Sequence, residues 1–161
     1  MSKAVLISIR PEWCEKIISG RKTIEVRKTR PKMNPPFKCY IYRSVQGGVI
    51  GEFVCDDIFE RIVRVGANCE PPKYCICDWN MDCTPLDTLL ADACLTKDEL
   101  EKYLDGGVGY GWHISNLRIY DHPRELREFY AVPNEVEVAL KAKPRPITRP
   151  PQSWRYVEEQ K

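Results

Sequence analysis

The run Ala4 to Arg10, AVLISIR, sets Val5, Ile7 and Ile9 against Leu6 and Ser8 and then meets Pro11. Period-two alternation rich in β-branched residues makes a buried strand, and a proline at the next position both stops it and opens a helix at no hydrogen-bond cost. Trp13, Ile17 and Ile18 then recur at helical spacing, and Gly20 supplies the stop. The chain is therefore committed from its first twenty residues to strands with helices set between them.

The pattern continues. Lys22 to Lys28, KTIEVRK, alternates strictly, with Thr23, Glu25 and Arg27 expected on one face and Lys22, Ile24, Val26 and Lys28 on the other. A proline-rich loop, Pro31 to Pro36, leads to a strand over Lys38 to Arg43, and Gly47 and Gly48 turn the chain into a long strand, Val49 to Val65, with Gly51, Asp56 and Asp57 as places to bend. Helices are expected over Thr84 to Leu95 and Thr96 to Leu104, the second opened by a capping box from Thr96 to Glu99. Tyr110 to Tyr120 returns to strand chemistry, Pro123 to Phe129 reads as a short helix, and the proline-rich tail is expected to run extended until Trp154 and Tyr156 anchor it. Five or six strands with inserted helices predict an α+β fold built on a small mixed β-barrel, in a single domain over 1–161. A length of 161 residues fits one core.

Charge is segregated along the chain. Residues 1–50 carry a net charge of +8, residues 51–106 carry −8 and residues 107–161 carry +2. Arg21, Lys22, Arg27, Lys28, Arg30 and Lys32 gather within twelve positions, the footprint that a polyanion requires, although a solvated basic loop has the same composition. No apolar run approaches the roughly 18 residues of a membrane span, and no signal-peptide pattern follows Met1, so a soluble cytoplasmic protein without membrane partners is expected. Two histidines, His113 and His122, exclude a multi-histidine metal centre and leave few bases for a nucleophile.

Of eight cysteines, Cys69, Cys75, Cys77 and Cys83 fall together in a cysteine-rich acidic insert at about 66–95. Their spacing, C-x5-C-x-C-x5-C, offers four thiolates for a structural zinc ion but lacks the usual C-x2-C knuckles, so free or partly buried thiols in a reducing compartment fit better. The same insert is the natural contact for a partner protein, which would make the chain a protein-interaction domain.

The densest chemistry lies in Gly20-Arg21-Lys22-Thr23-Ile24-Glu25-Val26-Arg27. This G-x-K-x-x-E-x-R pattern, directly after a strand and a short helix, resembles the signature of the ASCH domain family within the PUA-like superfold. Tyr110 to Ile114 and Pro150 to Trp154 are similar to bacterial and phage-type members. The resemblance implies a PUA-like barrel of five or six strands whose motif strand lines a cleft, and binding of RNA or other nucleic acid. In such a cleft Lys22, Arg27 and Arg43 would hold phosphate, Glu25 would accept from a base amino group or fix the cations, and Tyr110, Trp112 or Trp154 would stack a base. Glu25 and Arg27 also fit a structural ion pair.

One enzymatic branch, the small 4-acetylcytidine amidohydrolases, resembles the motif with a lysine matching Lys22 but a threonine nucleophile where this chain has Glu25. Glu25 would have to act as a base on water instead. A hydrolase acting on RNA or a modified nucleoside, with Lys22 and Glu25 as catalytic residues and His113 as a further acid or base, is the alternative to a binding module.

Overall fold

The computed structural model describes residues 2–65, 73–77, 83–84 and 86–161, with 60–65, 73–77 and 83–84 described by their backbone alone. The elements in chain order are β1 (Lys3–Ile9), α1 (Pro11–Ile18), β2 (Ile24–Arg27), β3 (Phe37–Arg43), β4 (Val49–Val65), β5 (Lys73–Cys77), β6 (Cys83–Thr84), α2 (Asp87–Ala93), α3 (Lys97–Leu104), β7 (Gly109–Arg124), α4 (Glu135–Ala139) and β8 (Trp154–Glu158). A 3-10 turn occupies Leu126–Glu128. The architecture is α+β, and the expected five or six strands are present as six hydrogen-bonded neighbours, with β5 paired to β4 and β6 to β5.

Two compact units divide the chain. One gathers Met1–Glu15, Pro36–Val54 and Asn116–Lys161; the other gathers Lys16–Pro35 and Cys55–Ser115. Strands β4 and β7 contribute residues to each.

In the first unit β1 pairs in parallel with β3, Val5 opposite Cys39 and Ile7 opposite Ile41, and antiparallel with β8, Val5 opposite Tyr156. A strand flanked on both sides and buried on both faces needs the near-continuous apolar run that Ala4 to Ile9 provides. Leu6, Tyr40, Val49, Phe129, Ile147 and Val157 fill the core beneath it. The tail departs from the expected extended path at Glu135–Ala139, which is helical because Asn134 and Glu137 form a reciprocal capping box in a stretch free of proline; Trp154 and Tyr156 anchor it in the strand Trp154–Glu158, to which β1 offers an edge. The short helix expected over Pro123 to Phe129 is instead the end of β7 followed by the 3-10 turn.

In the second unit β2 pairs antiparallel with β7, Ile24 opposite His113, Glu25 opposite Trp112, Val26 opposite Gly111 and Arg27 opposite Tyr110. Ile24 and Val26 pack with Leu86, Leu89 and Ala93 of the α2 region and with Leu100 and Leu104 of α3. Helix α3 begins at the predicted capping box, Thr96 accepting from the Glu99 backbone and Glu99 from that of Thr96. Helix α2 starts later than expected, at Asp87, and Thr84 belongs to β6; Thr84 precedes Pro85 in the sequence, and the residue before a proline disfavours helix. Among the described residues no helix is long and apolar enough to cross a membrane.

Candidate functional site

The G-x-K-x-x-E-x-R segment lies wholly in the second unit. Gly20 ends α1 in the left-handed region, φ +78°, its N–H donating to the Ile17 carbonyl. The chain does not enter a strand at once. Lys22 N–H donates to the Lys16 carbonyl at 3.0 Å and Thr23 N–H to the Asp92 carbonyl at 2.8 Å, so β2 starts only at Ile24. This corrects the alternation expected across Lys22 to Lys28. Because the backbone at Lys22 is not extended in register, its side chain is not confined to the face opposite Glu25. Nζ instead lies 3.4 Å from Glu25 Oε2 and donates to the Ala93 carbonyl at 2.6 Å.

From within β2, Arg27 reaches back to the same carboxylate, Nε and Nη2 meeting Glu25 Oε1 at 3.0 and 2.9 Å. Glu25 thus sits between two cations. All three side chains are withdrawn from water, with residue exposures of 3% for Lys22, 6% for Glu25 and 8% for Arg27. A buried cluster of net charge +1 can hold an acceptor-rich group while the carboxylate keeps both cations fixed in direction.

Alternation on the β2–β7 pair sorts the remaining candidates. Glu25, Arg27, Trp112 and Tyr110 share one face, and Ile24, Val26 and His113 belong to the other. His113 is therefore separated by the sheet from Glu25, and the two do not form an acid–base pair. Its Nδ1 instead meets Asp56 Oδ1 at 2.6 Å, with both side chains partly exposed. The His113 hydrogen bond holds the Asp56 carboxyl below its ordinary value against an opposing effect of desolvation. Trp112, opposite Glu25 in the strand pair, is fully buried and presents no open ring face, which corrects the expectation that it stacks a base. Tyr110 is half-buried. Arg43 ends β3 and, like Trp154, belongs to the first unit.

The sequence reading missed Tyr103. It sits on α3 beside the inward-facing Leu100 and Leu104, is 39% exposed, and has the Lys28 Nζ 5.2 Å from its ring centroid. Burial pushes its hydroxyl above the ordinary value, with Arg27 lowering and Glu25 raising it, so the phenol lies within the field of the cluster. The signal was faint: an aromatic flanking the apolar stripe of an otherwise charged helix.

The zinc expectation falls on Cys69, outside the described residues, and on Cys75, Cys77 and Cys83, described only by the backbone of β5 and β6. Among the described residues no group of three or more His, Cys, Asp or Glu is arranged to hold a metal ion.

The family model of the ASCH domain matches residues 7–137, which include every element from β2 to β7. The chain belongs to the ASCH domain family. The crystal structure of ASCH from Zymomonas mobilis superposes with a TM-score of 0.61 at 18% sequence identity, covering 97% of this chain and 88% of that one. A tyrosine-to-phenylalanine variant of the same Zymomonas protein gives the same TM-score and identity over 98% of this chain and 92% of its own. A serine-to-alanine variant does so over 97% and 89%. At this identity the likeness is one of fold, and it establishes the expected α+β, PUA-like ASCH architecture. A comparison with curated proteins returns no match.

Proposed function

We propose that this ASCH protein binds single-stranded RNA through its second unit, with Lys22, Glu25 and Arg27 at the centre of the site. The observation that carries the reading is the burial of three charged side chains around one carboxylate. A buried ion cluster gives a fold little that well-packed apolar side chains would not give, and the desolvation it costs is better explained by a ligand that uses it. The surrounding chain supplies what the cluster lacks. Arg21, Lys28 and Lys32 are exposed in the same stretch and can neutralise phosphates, and Tyr110 shares the face of Glu25 and Arg27. Membership of a family whose resemblance implies nucleic-acid binding agrees with this charge pattern.

The test is fluorescence anisotropy of a labelled oligoribonucleotide across a salt series. Wild type is expected to lose affinity linearly in log–log form, and the exposed-cation variant Arg21→Gln/Lys28→Gln/Lys32→Gln to lower the slope by about 2, at ~0.7 per phosphate contact on a single strand. Absence of binding at low salt would overturn the reading. The contact between Lys22 Nζ and Glu25 Oε2 favours a second reading, hydrolysis of RNA or a modified nucleoside with Glu25 as the base on water. Product formed by wild type and lost in Glu25→Gln would put hydrolysis in place of simple binding.

A further inference from the structure

Single-stranded RNA is held by two kinds of contact, cations on the phosphates and aromatic faces on the bases. The buried cluster and its exposed neighbours supply the first kind. For the second, Trp112 is enclosed and Tyr110 only half-open, and the more exposed ring is that of Tyr103 on α3. We propose that Tyr103 is the stacking platform for one unpaired base and that Lys28, now lying against its ring, is the partner of the adjoining phosphate. The inference rests on the RNA-binding reading and assigns it a base-recognition element.

The ring is set in place by its helix, which is anchored by Leu100 and Leu104, buried against Ile24 and Val26 of β2. A ring on an anchored helix loses little freedom on binding, which is the condition under which stacking contributes most of its strength. It nonetheless keeps 39% of its surface open.

Lys28 explains how the platform is kept in water. Its ammonium, 5.2 Å from the ring centroid, makes a cation–π contact that at an exposed site contributes only about 2- to 5-fold. A stacked base contributes roughly 5- to 100-fold. The exchange favours the base, and a flexible, exposed lysine released from the ring remains within reach of the nucleotide's own phosphate.

The experiment uses an oligoribonucleotide carrying a single 2-aminopurine, whose fluorescence is quenched by stacking, titrated with the full chain alongside anisotropy. Tyr103→Phe is expected to keep both affinity and quenching. Tyr103→Leu is expected to lose quenching and about 5- to 100-fold in affinity with an unchanged salt slope, while its thermal melt shows that it remains folded. Lys28→Gln is expected to keep quenching and lower the salt slope by about 0.7. Wild-type quenching and affinity in Tyr103→Leu, or equal losses in the Phe and Leu variants, would overturn the stacking role while RNA binding stands. A wild type that binds no RNA would overturn both.

Discussion

Arg27 closes on Glu25 with two nitrogens, Nε and Nη2, both directed at Oε1 at 3.0 and 2.9 Å, while Lys22 Nζ faces the other oxygen of the same carboxylate at 3.4 Å. One buried anion thus keeps two buried cations from repelling each other. Glu25→Ala is expected to cost about 3–5 kcal/mol, because it leaves two like charges out of water without a counterion. The triple variant Lys22→Met/Glu25→Leu/Arg27→Met should recover most of that stability and still fail to bind RNA. Urea denaturation measures the first effect and anisotropy the second; a triple variant as unstable as Glu25→Ala would show that packing, not charge, sets the cost.

On the opposite face, the His113 contact at 2.6 Å holds the Asp56 carboxyl below its ordinary 3.8. A carboxyl whose folded value is depressed stabilises the fold above its unfolded value, and that contribution is lost as pH falls through the folded one. Asp56→Asn should therefore be less stable than wild type above about pH 4 and should match it in stronger acid. Since both side chains are partly exposed, screening keeps the difference under about 1 kcal/mol. Carboxyl NMR checks the cause directly: in His113→Gln the Asp56 midpoint should rise, and an unmoved midpoint would remove His113 as its source.

The elements set by local rules were legible in the sequence. Strand β1 carries its alternation, α1 its proline start and glycine stop, and α3 its capping box, and each is found where those signals lie. Lys22 was legible in the motif but its side chain was misplaced, because its own N–H is held by the Lys16 carbonyl and that of Thr23 by the carbonyl of Asp92, far away in the chain. Alternation set Glu25 and Arg27 on one face of their strand, yet period two cannot say that Trp112 lies opposite Glu25 or how much of that face is covered. Helix α4 and strand β8 were hidden by the prolines around them: one depends on a local cap at Asn134, the other on an edge supplied by β1.

Thiol reactivity should follow burial rather than position in the sequence. Burial, reinforced by the Asp56 charge, pushes the Cys55 thiol up to about 12, so its thiolate is scarce at neutral pH. Cys14 and Cys39 are buried as well, whereas Cys94 is half-buried where α2 ends. Among these four, iodoacetamide at pH 8 should modify Cys94 first and Cys55 only after unfolding in urea. Peptide mapping by mass spectrometry reads the order, and equal rates at Cys55 and Cys94 would contradict it.

Gly51 tests the close approach of β4 to β7. A Cβ at this position would stand 2.5 Å from the Arg118 carbonyl oxygen and 3.1 Å from the Ile119 Cα, both backbone atoms that no side-chain rotation can move aside. The two strands would have to separate, at about 1–3 kcal/mol, which for a chain of this size lowers Tm by several degrees. Gly20 is the useful contrast, since a Cβ there meets nothing within 4 Å and only its φ of +78° resists a side chain. Asparagine tolerates that backbone, so Gly20→Asn should recover much of the stability lost in Gly20→Ala. At Gly51 the obstacle is space, and Gly51→Asn should be at least as unstable as Gly51→Ala. Calorimetry of the four variants separates the two causes: rescue by asparagine at both positions would mean that backbone conformation, not strand contact, excludes side chains from Gly51.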